Sequence, residues 1–183
     1  MICSIVACGP SASDWWNTPC DYSIGCNDAF KFGYGFDELL IVNSPKMFTP
    51  ERLEVIKKTK CDKVKTNSGN WDKIFPQQEI IRLQSFGKFL KKGHIYSSKS
   101  SPFVAMSLSF NMGATDVILH GVDMETHNIF SPNNRHGSNE HRMFNYELRN
   151  IQNFTRMMVD QGTKVWLGKK EGALTQFLNV WQG

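Results

Sequence analysis

A series of short polar clusters and one long polar loop hold the residues able to do chemistry. The first cluster is Cys8-Gly9-Pro10-Ser11-Ala12-Ser13. Gly9 leaves room for a phosphate or ribose to approach the backbone. Ser11 and Ser13 add hydroxyl donors, and a helix opening nearby would aim free N–H groups at an anion. The same residues would also make a plain strand-to-helix turn, with Gly9 and Pro10 as punctuation. In Gly25-Cys26-Asn27-Asp28, Asn27 and Asp28 could bond a base edge or sugar hydroxyls, or cap a helix. Asn43-Ser44-Pro45 carries the same two readings. Ser97-Ser98-Lys99-Ser100-Ser101 sets hydroxyls, backbone N–H groups and an ammonium before a helix. That combination is an anion cradle or a solvated serine loop with a cap. In Gly121-Val122-Asp123, Gly121 permits close approach. Asp123 could bind a hydroxyl or a cation, or cap a turn.

The loop 125–142 has the most unusual composition. It carries His127, His136 and His141, Arg135 and Arg142, and Asn133, Asn134 and Asn139. Imidazoles titrate near neutrality and serve as general bases. Arginines hold phosphates or carboxylates in a bidentate fork. A polar loop this long inside a compact domain is commonly functional. Surface histidines of no special role, or a histidine site using Asp123 as a further metal ligand, are the alternatives. No H-x-H or H-E-x-x-H spacing occurs, so no metal site is assigned.

These clusters need strands and helices to hold them. Continuous apolar runs at Ile2–Ala7, Tyr22–Cys26 and Leu39–Val42 read as strands buried on both faces. Val64–Thr66 and Ile80–Leu83 are weaker strand candidates. Pro50–Lys58 has helical spacing. Ser100-Ser101-Pro102 opens a helix that is apolar on most sides and closes at Gly113. Asp116–His120 is a strand. A helix over roughly 140–161 puts Phe144, Leu148, Ile151, Phe154 and Met158 on one stripe and ends at Gly162. Lys164–Leu167 is a further strand, and the tail Ala173–Trp181 has helical spacing. Strands alternating with helices predict an α/β, Rossmann-like, mostly parallel sheet with helices on both faces. In such sheets ligands bind beyond the carboxyl ends of the strands, where the polar clusters fall.

The chain has 183 residues, 21 Lys and Arg against 17 Asp and Glu, and 40% hydrophobic residues. One globular domain over 1–183 is expected, and wholesale disorder is excluded. The net charge of +4 suits an anionic ligand and neither requires nor excludes nucleic acid. The basic clusters are no longer than pairs, such as Lys57-Lys58, Lys91-Lys92 and Lys169-Lys170. No apolar run approaches a transmembrane span, and the N-terminus lacks the basic start of a signal peptide, so a cytoplasmic protein is expected. Five cysteines without a C-x-x-C pair read as small buried hydrophobes in a reducing compartment. Some of the five tryptophans could stack on sugars or pack between copies in a homo-oligomer, although core placement is the commoner use.

The ordered set Cys8-Gly9-Pro10-Ser11, Gly25-Cys26-Asn27-Asp28, Ser100-Ser101 and Leu119-His120-Gly121-Val122-Asp123 resembles bacterial sialyltransferases of the lipooligosaccharide type. It is also similar to the wider Rossmann-like set that includes hydroxymethylpterin diphosphokinases and motility-associated glycosyltransferases. The family pattern is N-G-P-S, C-N, T-S-G and S-G-I-D at the corresponding places. The resemblance implies a metal-independent transferase that needs no cofactor beyond a nucleotide-sugar co-substrate, with CMP-sialic acid as donor. It implies that Gly9, Pro10 and Ser11 line the phosphate and ribose, Asn27 the nucleotide or sugar, and Ser100 and Ser101 the cytosine and ribose. It implies a loop histidine as base for the acceptor hydroxyl of a glycan or similar partner. His136, in Arg135-His136-Gly137, fits best, and His141 is second. Cys8 stands where the family has asparagine, and Met124-Glu125 where it has a phosphate-steadying tyrosine.

Asp28, Asn43, Gly121 and Asp123 complete the expected nucleotide site, with Arg135 or Lys99 offsetting charge on the leaving phosphate. Two other readings share these residues. One is a magnesium-dependent pterin or nucleotide diphosphokinase using Asp123 or Asp28. The other is a non-catalytic nucleotide-binding protein, of phage origin for example, that kept the fold and lost the chemistry.

Overall fold

The computed structural model describes residues 1–87, 89–124 and 140–183, with the side chains of 140–143 outside that description. The strands are β1 (Ile2–Val6), β2 (Tyr22–Cys26), β3 (Phe36–Ile41), β4 (Cys61–Thr66), β5 (Glu79–Ile80), β6 (Leu83–Ser85), β7 (Ile95–Ser97), β8 (Asp116–His120) and β9 (Lys164–Leu167). The α-helices are α1 (Pro50–Lys57), α2 (Ser101–Asn111) and α3 (Glu140–Asp160). Seven strands form one sheet in the order β5-β4-β3-β2-β1-β8-β9, and β6 pairs with β7 apart from it. Every ladder is parallel. The expected Rossmann-like α/β sheet is present. The chain winds outward from β1 to β5 and returns to β8 on the other side of β1, so the topology reverses between β1 and β8.

Burial explains the continuous apolar strands. In β1, Cys3 and Ile5 face α2 and α3, while Val6 meets Trp15, Ala12 and Phe36 on the opposite face. Helix α2 is buried from Phe103 to Phe110. Phe103 lies 4.7 Å, ring centre to ring centre, from Phe154 of α3 and 5.1 Å from Phe86. Helix α1 covers the other face through Ile56, with Leu39, Ile41, Phe48 and Trp71. Much of that second face is closed by short 3-10 turns, including Pro10–Ala12, Trp15–Asn17 and Ala29–Phe32. All five cysteines are free. Among the described residues, no helix is long and apolar enough to cross a membrane.

Three expectations are corrected. The tail forms one 3-10 turn, Ala173–Gln176, and then runs extended. Leu167 donates its N–H to Asn179 O at 2.9 Å and accepts from Trp181 N–H at 2.8 Å. The tail thus satisfies the open edge of β9, which a helix could not do. The run Ile80–Leu83 is split between β5 and β6 and belongs to both sheets. Ser100 begins α2 in extended conformation but makes no side-chain cap bond. Its hydroxyl is used elsewhere, as described below.

His120 ends strand β8, which lies between β1 and β9, and is 2% exposed. Its Nε2 lies 3.3 Å from Ser4 Oγ, and Trp15 packs edge-on against the ring. Burial pushes the imidazole down to about 4. The unfolded chain therefore gains a proton near pH 6.5 that the folded chain refuses until about pH 4. Stability is full above that window and declines as the pH falls through it. Chemical denaturation from pH 7 to 4 should show the native protein losing on the order of 3 kcal/mol more stability than His120→Gln. Equal losses would contradict a buried neutral imidazole.

Candidate functional site

The carboxyl ends of β1, β2 and β8 and the amino end of α2 are joined by side-chain and backbone hydrogen bonds. At the topological switch, the ladder continues past the strands: Ala7 N–H donates to His120 O at 2.8 Å and Gly9 N–H to Gly121 O at 2.9 Å. Ser11 then links the two loops. Its hydroxyl donates to Asp123 Oδ1 and accepts from Gly121 N–H at 3.0 Å. Its own N–H donates to Asp123 Oδ2 at 3.2 Å. A Cβ on Gly9 would stand 2.3 Å from Asp123 Oδ2 and 2.5 Å from Gly121 O. Gly9 thus makes room for the protein's own carboxylate. Gly121 has φ +68°, and a Cβ there would stand 2.8 Å from that of Ala12. Pro10 is exposed and starts the 3-10 turn that carries Ser11.

The β2 tip joins the same rim. Asn27 has φ +54°, a left-handed conformation that asparagine tolerates. Its Nδ2 donates to Ser101 Oγ at 3.1 Å, in the first turn of α2. Its Oδ1 is buried and has no partner. Asp28 is fully buried and does not cap the following turn. Instead, Arg52 of α1 grips its Oδ1 through Nε at 3.1 Å and Nη2 at 2.5 Å. Lys31 donates to Cys8 O, and burial lowers its ammonium pKa. Cys8 directs its thiol at Cys26 O, 3.4 Å away, and at Asp28 Oδ1, 3.5 Å away. Burial, with the Asp28 charge, pushes that thiol up to about 12, so it is a neutral, weak donor. Asn43, beyond the end of β3, is exposed, and its carbonyl accepts from Trp71 Nε1 at 2.8 Å.

The expected anion cradle at 97–101 exists, but it holds a carboxylate of the chain itself. Glu147 of α3 is 2% exposed. Its Oε1 accepts from Ser100 Oγ at 2.5 Å, and its Oε2 from Ser98 Oγ at 2.5 Å and Lys99 N–H at 3.0 Å. Asn150 Nδ2 supports the arrangement by donating to Ser98 Oγ at 2.7 Å. Ser100, expected to touch nucleotide, is therefore bound to Glu147. Glu147 was not singled out from the sequence. Its signal is an acid at helical spacing from Phe144 and Ile151, inside the apolar stripe of α3.

Gly9, Ser11, Asn27, Asp28, Ser100, Ser101, Gly121 and Asp123 are thus linked directly or through neighbours along one rim. Arg135 and His136 lie outside the described residues, as do His127 and Glu125. His141 falls in the first turns of α3, and its side chain is likewise outside the description.

No protein-family model matches the chain, and no curated protein sequence matches it. Solved structures do. The sialyltransferase CstII from Campylobacter jejuni in complex with the substrate analogue CMP-3FNeuAc is 13% identical, with TM-score 0.58, covering 98% of this chain and 85% of that one. The same enzyme with trisaccharide acceptor and CMP is 13% identical, with TM-score 0.59, covering 97% and 85%. At this identity the likeness is one of fold.

Removing Ser11's hydroxyl strands a buried carboxylate, whereas removing Glu147 strands three donors. Ser11→Ala and Glu147→Ala should each lower unfolding free energy by about 1–3 kcal/mol, measured by urea denaturation. Glu147→Gln, which keeps an acceptor, should lose less than Glu147→Ala. Equal losses would contradict the contact scheme.

Proposed function

We propose that this chain binds a nucleotide-activated sugar of the CMP-sialic acid type and transfers the sugar to an acceptor hydroxyl. The observation that carries the reading is the hydrogen-bonded convergence of the β1, β2 and β8 tips with the amino end of α2. Asn27 offers its unpartnered Oδ1 to a donor on the nucleotide or sugar. The first turn of α2 lies beside it to receive phosphate and ribose. The fold likeness supports the same class, because the similar structures contain CMP and a trisaccharide acceptor.

In the reaction, His136 or His141 takes the acceptor proton. The acceptor oxygen then forms its bond to the anomeric carbon as the bond to the phosphate oxygen breaks, releasing the nucleoside monophosphate. Arg135 or Lys99 offsets the charge gathering on that phosphate. Helix α3, into which the histidine segment leads, is clamped to the α2 loop by Glu147. The diphosphokinase reading draws less support, because the acids it would give to magnesium are bonded to Ser11 and Arg52.

Calorimetric titration with CMP, UDP and GDP should give heat with CMP. Silence from all three would contradict the proposal. Of His136→Ala and His141→Ala, the variant lacking the base should lose roughly 10²–10⁴-fold in turnover while still binding CMP. Full turnover in both would remove the base assignment alone.

A further inference from the structure

Phe89 is 76% exposed, more than any other large hydrophobic side chain among the described residues. Its backbone is firmly tied. Leu90, next to it, is 8% exposed and belongs to the main core. The Tyr96 hydroxyl accepts from Lys91 N–H at 3.0 Å and donates to Phe89 O at 3.2 Å. On the far side, Asn111 of α2 accepts from Gly93 N–H at 2.5 Å and donates to His94 O at 2.7 Å. A turn anchored at both ends thus holds an aromatic ring in water, against the usual gain from burial.

The charge along the chain on either side of that ring is one-sided, although α3 brings Gln161, which follows Asp160, to Leu90 O at 3.5 Å. Between Ile80 and Thr115 the chain has five Lys and Arg residues and no Asp or Glu. Lys99 belongs to the loop before α2 assigned above to the leaving phosphate, which leaves Arg82, Lys88, Lys91 and Lys92 flanking the ring in sequence. Lys91 and Lys92 are exposed beside Phe89, and Arg82 is also exposed. Arg82 and His94 directly precede the paired residues Leu83 and Ile95 of β6 and β7. Met112, 40% exposed, directly follows the anchoring Asn111.

We propose that the Phe89–His94 turn is a contact surface for an anionic lipid bilayer. Phe89 enters the boundary between headgroups and acyl chains, and Lys91, Lys92 and Arg82 meet the lipid phosphates. One apolar side chain or a few lysines alone bind a bilayer weakly. Together they give reversible attachment that depends on lipid charge. A nucleic-acid strand would call for a charged track with aromatics in series. Here Phe89 stands alone, since Tyr96 is buried. The turn is tied to Asn111 at the carboxyl end of α2, whereas the rim assigned to nucleotide meets that helix at Ser101, its amino end.

Co-sedimentation of the full chain with vesicles tests this. Binding should occur with phosphatidylcholine containing roughly a quarter phosphatidylglycerol and be lost with pure phosphatidylcholine or at high salt. Phe89→Ala should weaken it roughly tenfold, and Lys91→Glu with Lys92→Glu roughly thirtyfold or more. These exposed positions should leave the melting temperature and any CMP titration unchanged. No binding to charged vesicles, binding insensitive to these substitutions, or binding to duplex DNA in place of vesicles would overturn the proposal.

Discussion

Asp123 sits 9% exposed between the β1 and β8 loops, and its carboxylate is held by Ser11 through both hydroxyl and N–H. A charge this far from water must be paired or hydrogen bonded to be tolerated. Satisfying it fixes the path of both loops. Ser11 must lie where its hydroxyl reaches Asp123 and Gly121 together, and Gly9 must lack a side chain. The gap where the sheet topology reverses is therefore closed by the protein's own groups. The remaining rim, with Asn27 and the first turn of α2, stands beside it.

Glu147 repeats the device on the other side of α2. Three donors that could have received a phosphate receive a carboxylate, which binds α3 to the loop before α2. A nucleotide at this rim would meet backbone N–H groups, Asn27 and Ser101 more than free serine hydroxyls. Two cations are similarly committed: Arg52 pairs with Asp28, and Lys169 pairs with Asp14. Such pairing leaves preorganised geometry, more than free charge, as the property the rim offers to a ligand.

The parallel sheet was legible because strands buried on both faces read as unbroken apolar runs, as in Ile2–Val6 and Asp116–His120. Helix α2 was legible from Ser101-Pro102 at its start and Gly113 at its end. The strand β7, three residues long, was too short to produce a periodic signal. The tail showed helical spacing, but pairing with the edge at Leu167 outweighed it. At the site, residue types indicated hydrogen-bonding capacity without indicating the partner. Ser11, Ser100 and Asp123 were read as ligand contacts, and each is satisfied within the protein. That distinction depends on which distant residue arrives opposite, and Glu147 lies 47 positions from Ser100.

The most direct test is a crystal of this protein soaked with CMP. The account predicts nucleotide density at the carboxyl edge of the sheet, with a donor of the ligand within hydrogen-bond reach of Asn27 Oδ1 and its phosphate against the first turn of α2. Density for CMP on another face of the molecule would contradict it.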